Sequence, residues 1–112
     1  MKKISIVGAG RVGETTAQIL AESDLCRQIA LLDVREDVPE GVALDIDQTA
    51  SFFKFDCVVS GSNDPQILRD SELVIITAGL PRKPGMSRSD VLEANVRIID
   101  QVTDQIITYA PN

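Results

Sequence analysis

The sequence has 112 residues, of which 44% are hydrophobic and 25% charged, a profile that indicates one globular domain of ordinary small size. No apolar run approaches the roughly 18 residues of a membrane span, and the net charge of −6 disfavours binding to nucleic acid or to an anionic membrane. There is no histidine, so a mechanism that needs an imidazole acid or base cannot be completed within these residues.

Strand and helix patterns alternate along the chain. In chain order the patterns predict a strand over 3–7, a helix over 11–22, a strand over 29–32, a helix over 38–50, a strand over 57–59, a helical turn over 65–68, a strand over 73–77 and a helix that begins near Ser87. The strands are apolar runs without alternation, which is typical of a parallel sheet covered on both faces. We therefore predict an α/β fold, a Rossmann-type doubly wound parallel sheet, with right-handed crossovers and the strand order 3-2-1-4.

The predicted helices carry apolar residues at helical spacing, and the helix over 38–50 has Val42, Ala43, Ile46 and Ala50. The first has Val12, Thr16, Ile19 and Leu20 on one side. The last begins at a capping box made by Ser87 and Asp90. Its predicted core face is the stripe Leu92, Val96, Ile99, Val102 and Ile106.

A glycine-rich turn joins the first strand to the first helix. Its sequence, Gly8-Ala9-Gly10-Arg11-Val12-Gly13, is a G-x-G-x-x-G in the strand–turn–helix context that gives the pattern its meaning. Gly8 permits a tight turn, Gly10 lets the backbone approach a pyrophosphate, and Gly13 lets the helix pack against the strand. The amides and dipole of the helix N-terminus stabilise phosphate charge. A dinucleotide site is predicted here, and the alternative is a glycine turn without a ligand.

An aspartate stands at the end of the second strand. Asp33 follows Gly13 by 20 residues, where a carboxylate can accept both hydrogen bonds of an adenosine ribose. The same carboxylate would repel a 2′-phosphate, which favours NAD over NADP. Arg35 points the other way, and a surface aspartate without a ligand is the alternative.

The segment 77–88 carries three cations, Arg82, Lys83 and Arg88, on a proline-stiffened loop after the fourth strand. Ligands of open α/β folds bind beyond the carboxyl ends of the strands. The planar guanidinium suits a carboxylate, and two arginines can hold one carboxylate and polarise a neighbouring carbonyl. A solvated basic loop is the alternative.

In these motifs the sequence resembles the lactate/malate dehydrogenase family, and within it the malate dehydrogenase branch. The matching residues are GAGRVG at 8–13, the LLD that ends at Asp33, ITAGLPRKPGMSR at 76–88, and Asn95. The resemblance runs along essentially the whole chain in order, and the arginine loop is highly specific to the family.

The resemblance implies that residues 1–112 are the N-terminal NAD-binding part of an enzyme that reversibly oxidises (S)-malate to oxaloacetate by hydride transfer to NAD. It implies that Arg82, on a mobile lid, binds the distal carboxylate and that Arg88 polarises the keto group as the catalytic arginine. Cofactor contacts are implied for Gly8, Ala9, Gly10, Arg11, Val12, Gly13, Asp33 and Asn95, and the backbone at 77–79 is expected to line the nicotinamide side.

Arginine at position 82, where lactate-specific relatives usually carry glutamine, favours a dicarboxylate because a second positive charge compensates the second carboxylate. Two alternatives stay open, a lactate or other 2-hydroxy-acid dehydrogenase and a non-catalytic dinucleotide-binding module.

The sequence also departs from the family. Family members carry a second half with a histidine acid/base, its aspartate partner and another arginine, and none of these is within the 112 residues. We expect a sheet truncated after the fourth strand and its helix, with an exposed apolar edge and one exposed face of the last helix. The 112 residues alone are expected to be inactive.

The remaining polar and aromatic residues are interpreted as structural. Cys26 and Cys57 are expected to be free, buried thiols of a cytoplasmic protein, and no metal site is predicted. Asp45 and Asp47 are interpreted as a solvated helix surface. The cluster Phe52-Phe53-Phe55 is expected in the core or in a subunit contact, in keeping with the homodimer or homotetramer that the resemblance implies.

Overall fold

A computed structural model describes residues 2–50, 54–77, 84–85 and 87–111. Its elements are β1 (Lys3–Val7), α1 (Arg11–Ser23), β2 (Gln28–Leu32), α2 (Val38–Asp47), β3 (Val58–Ser62), a 3-10 turn (Pro65–Leu68), β4 (Leu73–Ile76) and α3 (Arg88–Tyr109). The alternation of strands with helices confirms the predicted α/β class. None of the helices in the described ranges is both long and apolar enough to cross a membrane.

The four strands form one parallel sheet in the order β3-β2-β1-β4, as predicted. Ile6 in β1 pairs with Leu31 of β2 on one side and with Ile75 of β4 on the other. The chain moves outward from β1 through β2 to β3 and then returns to the far side of β1. The strand order therefore reverses between β1 and β4, where doubly wound folds bind ligands.

Apolar side chains cover the sheet on both faces. One core cluster joins Ile6, Ile29 and Leu31 of the strands to Ala17 of α1 and Ile46 of α2. A second joins Val7 and Leu32 to Leu68 of the 3-10 turn and Val102 of α3. Burial of one such Leu or Ile side chain stabilises the fold by about 1.5–3 kcal/mol.

The predicted apolar face of α1 is only partly its inner face, with Leu20 packed against the core. Gly13, Ala17 and Ala21 face the sheet, whereas Val12 and Ile19 are 67% and 56% exposed. The small residues let the helix approach the sheet closely, and at Gly13 a Cβ atom would overlap the carbonyl oxygen of Gly8. Hydrophobic periodicity missed this face because the close contact requires small side chains.

The predicted bounds of the third strand are also wrong. The strand predicted over 57–59 begins at Val58 and continues through Gly61 and Ser62, and Gly61 pairs with Leu31. A Cβ atom at Gly61 would overlap the backbone of Pro39 at the start of α2. Glycine here marks the close approach of a helix and not the end of a strand.

The start of α3 was predicted correctly, but half of its predicted core face is exposed. Ser87 and Asp90 form the capping box. Val102 is buried and Ile106 packs beside it. The earlier positions of the stripe are about half exposed or more: Leu92, Val96 and Ile99. The 22 residues of α3 span about 33 Å at 1.5 Å per residue, twice the length of a five-residue strand. The sheet cannot cover such a helix, and the expected exposed helix face is confirmed.

Beyond that helix, the outer strand β4 also carries apolar side chains that are partly uncovered, with Leu73 and Ile76 about two-fifths exposed. The expected exposed edge is therefore present as well.

Cys26 and Cys57 are free and buried, as expected. They lie 31 residues apart in the chain, yet their Sγ atoms are only 4.0 Å apart, because the adjacent strands β2 and β3 begin just after them. Burial, with the neighbouring Cys26 as a further cause, raises the pKa of the Cys57 thiol to about 12. A cavity of about 550 Å³ opens beside the two thiols, at the amino edge of the sheet.

Two other structural expectations hold for the residues that the structure describes. Asp45 and Asp47 are exposed on or at the end of α2, and Phe55 is buried in the core. Phe52 and Phe53 lie outside the described residues.

Candidate functional site

The candidate site lies where the carboxyl ends of β1, β2 and β4 meet. Gly8 follows β1, Asp33 follows β2 and Thr77 follows β4. The Gly8 amide donates to the carbonyl of Leu32 at 2.7 Å, and the Thr77 amide donates to that of Val7 at 2.8 Å. The three strand ends are thus held together at the carboxyl edge, opposite to the two cysteines.

The glycine turn presents backbone amides at this edge. Gly8 has a φ of 110°, which favours glycine, and Thr77 Oγ1 donates to its carbonyl oxygen at 3.0 Å. The first helical hydrogen bond of α1 runs from the Glu14 amide to the Gly10 carbonyl, at 2.8 Å. The amides of residues 11–13 therefore have no acceptor within the helix and are suited to bind an anion.

Gly10 and Gly13 have different roles in the turn. A Cβ atom at Gly10 would have only Arg35 Nη2 nearby, at 3.9 Å, so the space above Gly10 is open. At Gly13 the same atom would overlap the Gly8 carbonyl and lie 2.9 Å from Thr77 Oγ1. Gly13 therefore serves the packing of α1, while Gly10 leaves room for a ligand. The cradle that a pyrophosphate needs is present.

Asp33 turns its carboxylate toward the glycine turn. Its Oδ2 atom accepts a hydrogen bond from the Ala9 amide at 2.7 Å, and its side chain is 9% exposed. Burial raises the pKa of this carboxyl, but hydrogen bonds from Arg35 and Ala9 and the charge of Arg35 outweigh it and lower the pKa to about 2. Asp33 is therefore a fixed, charged acceptor beside the glycine turn.

Arg35 forms an ion pair with Asp33 that the sequence did not predict. Its Nη2 atom lies 2.9 Å from Asp33 Oδ2, and its Nε atom donates to Oδ1 at 3.1 Å. The Arg35 amide also donates to Oδ1, at 2.9 Å. Asp33 in turn raises the pKa of the guanidinium.

Asn63 is a second residue that sequence reasoning missed. Its Nδ2 atom donates to the carbonyl oxygens of Asp33 and Arg35 at 2.8 and 2.7 Å. It thereby fixes the chain that carries the ion pair. Its position in the Gly61-Ser62-Asn63 segment suggested only a turn, and no local signal reveals contacts that span some 30 residues.

Arg11 and Val12 lie in the first turn of α1 with exposed side chains. Together with Thr15 and Thr16 they line a cavity of about 260 Å³ beside the glycine turn. Their contribution to the candidate site is thus the backbone amides and one wall of this cavity.

Arg88 is exposed at the first position of α3, and Asn95 is half-buried two turns later. Residues separated by seven lie on one side of a helix. Arg82, with residues 78–81, Lys83 and Met86, lies outside the described residues, so the joint binding of one carboxylate that the sequence predicts for Arg82 and Arg88 stays a prediction.

No group of three or more His, Cys, Asp or Glu side chains that could hold a metal ion occurs within the described ranges. The donors and acceptors at the carboxyl edge are instead amides, a carboxylate and a guanidinium, which suit an organic phosphate ligand.

A sequence profile of the lactate/malate dehydrogenase NAD-binding domain matches residues 2–112. The chain belongs to the lactate/malate dehydrogenase family. The resemblance in the glycine turn and the arginine loop is thereby confirmed, and NAD is the cofactor of this domain. The open glycine turn and the carboxylate of Asp33 fit such a ligand.

Three relatives illustrate the similarity. A malate dehydrogenase from Thioalkalivibrio sulfidiphilus is 60% identical over all 112 residues, which span 36% of that protein. The structure of the Picrophilus torridus malate dehydrogenase in its apo form superposes with a TM-score of 0.94 at 38% identity, over 98% of this chain and 35% of that one. A lactate dehydrogenase from Cryptosporidium parvum, complexed with lactic acid and β-nicotinamide adenine dinucleotide, gives a TM-score of 0.90 at 37% identity, over 99% and 35%.

The chain thus spans about a third of the length of the relatives that it matches. The similarity concerns their cofactor-binding part.

Proposed function

We propose that residues 1–112 are the NAD-binding part of a malate dehydrogenase that reversibly oxidises (S)-malate to oxaloacetate. The observation that carries the proposal is the 2.7 Å hydrogen bond from the Ala9 amide to Asp33 Oδ2. It sets a ribose acceptor directly beside the phosphate-binding amides, at the point where the strand order reverses. NAD, held by these residues, would supply the hydride acceptor for malate C2.

The described residues would bind and orient the cofactor. The amides of residues 11–13, at the positive end of the α1 dipole, would neutralise phosphate charge. Asp33 would accept hydrogen bonds from the two ribose hydroxyls, and Asn95 would make a further contact. By holding the cofactor at three such points, these residues would lower the entropic cost of the reaction.

The two arginines would act on the substrate. We propose that Arg82 binds the distal carboxylate through a two-pronged hydrogen bond. Arg88 would polarise the carbonyl and stabilise the charge that develops on its oxygen. The 112 residues contain no histidine, so the proton acceptor that the family resemblance implies would lie in another part of the full-length protein.

The choice of malate rests on Arg82 and on the name of the 60% identical relative. A preference for lactate is the second candidate, because the similar Cryptosporidium parvum structure is a lactate dehydrogenase. The two candidates differ in the number of carboxylates that the site must neutralise.

We propose a cytoplasmic location, supported by two thiols that stay free although their sulfurs lie 4.0 Å apart. We also propose a homodimer or homotetramer, which the family resemblance implies.

The decisive assay follows NAD reduction by the full-length protein with malate or lactate as substrate. For Arg82→Gln we expect kcat/KM for malate to fall by about 100-fold or more relative to lactate, since loss of a charged hydrogen bond costs about 1.5–3 kcal/mol and leaves a carboxylate unpaired. Lys83→Gln removes the same charge from the neighbouring position and should leave the ratio near that of the wild type. An equal ratio in both variants contradicts the malate assignment.

The role of Arg88 is tested by Arg88→Ala in the same assay. We expect kcat to fall by about 10²–10³-fold because a donor to the developing oxyanion is lost. The dissociation constant of NAD should change little. An unchanged kcat rejects the role.

A further inference from the structure

Arg35 occupies the acceptor atoms that an adenosine ribose would use. Asp33 accepts four hydrogen bonds, two from the Ala9 and Arg35 amides and two from the Arg35 side chain. The amides are fixed by the fold. The Arg35 side chain is 55% exposed, so among these three donor groups it is the one that a ligand can displace.

The ion pair also changes the charge at this point. A lone carboxylate next to a 2′-phosphate would repel it, and like charges brought together in a binding site cost several kcal/mol in general. With Arg35 on Asp33, at 2.9 Å between Nη2 and Oδ2, the pair has no net charge. The ion pair therefore reduces the repulsion that a 2′-phosphate would meet at Asp33.

The guanidinium is moreover well positioned to bind an anion. Two of its five N–H groups are directed to Asp33. Its Nη2 atom lies 3.9 Å from where a Cβ atom of Gly10 would be, at the mouth of the phosphate cradle. Asn63 fixes the carbonyl of Arg35 at 2.7 Å, which keeps the base of the side chain in place.

We propose that Arg35 is a specificity-determining residue that admits a 2′-phosphorylated dinucleotide, NADP, to the site at which Asp33 receives NAD. With NADP the guanidinium bridges the carboxylate of Asp33 and the 2′-phosphate. With NAD the two ribose hydroxyls displace it from Asp33. The inference rests on the proposed role of Asp33 as the ribose acceptor and adds a second ligand to that site.

The test is calorimetric titration of the full-length protein with NAD and with NADP at one ionic strength. We expect the wild type to bind both, with dissociation constants within about tenfold of each other, since one charge-assisted contact replaces another. In Arg35→Ala, NADP binding should weaken by at least about tenfold, while NAD binding is unchanged or tighter because its competitor for Asp33 is gone. Arg35→Gln is a second variant without the charge, and Arg35→Lys keeps the charge but not the fork.

Arg27→Ala is the matched control, because Arg27 is exposed just before β2, at the opposite edge of the sheet. This variant loses the same charge and should leave the ratio of the NADP and NAD dissociation constants at its wild-type value. If Arg35→Ala and Arg35→Gln also leave that ratio unchanged, or if the wild type rejects NADP, the inference is overturned while NAD binding stands. If the wild type does not bind NAD, the proposed function itself fails.

Discussion

Asp33 links the candidate site to acid stability. Its carboxyl has a pKa of about 2 in the folded protein, below the ordinary 3.8, because the hydrogen bonds of Arg35 and Ala9 stabilise the charged form. Between these two pKa values, the folded protein therefore binds fewer protons than the unfolded chain. The stabilisation is complete above about pH 4 and is lost as the pH falls toward 2.

For Asp33→Asn we expect the free energy of unfolding to depend less on pH between 4 and 2. The pH-dependent stabilisation that this variant loses is about 1 kcal/mol, after allowance for solvent screening of a partly exposed ion pair. Urea unfolding at several pH values measures it. Asp45→Asn, on the exposed side of α2, is the control and should keep the wild-type dependence of the unfolding free energy on pH. If Asp33→Asn also keeps it, the Asp33 carboxylate does not contribute to acid stability.

Among single residues, the sequence predicted the carboxylate of Asp33 but not its ion-pair partner Arg35. Asp33 was predicted because strand ends and glycine turns have fixed spacings in this fold. The Arg35 pair depends on the path of three residues after β2 and on Asn63, which donates to two of their carbonyls. Such contacts follow from tertiary structure, so two-residue spacing alone does not reveal them.

At the scale of the elements, the turn from β1 to α1 contains one glycine that serves ligand binding, Gly10, and one that serves stability, Gly13. For Gly10→Ala we expect a free energy of unfolding within about 0.5 kcal/mol of the wild type, since the nearest atom to the new Cβ is 3.9 Å away. The affinity for NAD should fall by about tenfold or more, because the Cβ occupies the path of the pyrophosphate.

Gly13→Ala, in contrast to Gly10→Ala, should mainly lower the free energy of unfolding. The new Cβ would overlap the Gly8 carbonyl, and such overpacking costs about 1–3 kcal/mol. Gly41→Ala, in α2 with nothing within 4 Å of the new atom, should instead raise stability by up to about 1 kcal/mol. Thermal unfolding and NAD titration of the three variants check both statements, and equal stability of Gly10→Ala and Gly13→Ala would contradict them.

The elements themselves were largely predictable, and their faces less so. Periodicity identifies a helix by its apolar side chains, but α1 contacts the sheet through Gly13, Ala17 and Ala21, which carry little hydrophobic signal. In α3 the apolar stripe is continuous in sequence, yet only its second half, with Val102, lies over buried residues. Its extent is set by the lengths of strands and helix, which a helical period does not encode.

For the molecule as a whole, β1 is the central strand. Ile6 is fully buried and pairs in register with residues on both sides. We expect Ile6→Ala to lower the free energy of unfolding by about 2–5 kcal/mol. Leu25→Ala, at a 61% exposed position, should change it by no more than about 0.5 kcal/mol. Denaturant unfolding of the two variants compares them, and similar losses would contradict a core centred on β1.

The topology was predictable from the sequence because right-handed crossovers leave few arrangements for alternating strands and helices. The location of the site followed from it, since ligands bind at the carboxyl edge where the order reverses. The positions of Arg82, Lys83 and Met86 remain predictions, as these residues lie outside the described ranges.

The pairing of β1 with β4 also constrains how the chain folds. Ile4 pairs with Leu73, so the first strand must wait for a partner that is synthesised about 70 residues later. Contacts of such high sequence separation slow folding, because the entropy of closing the loop is lost before the pairing stabilises it. During synthesis β1 and β2 can pair early, while the β4 side of β1 keeps its row of amides and carbonyls unpaired. The nascent chain therefore exposes a strand edge at the cofactor domain's centre until β4 leaves the ribosome, which is the interval in which a chaperone would matter most.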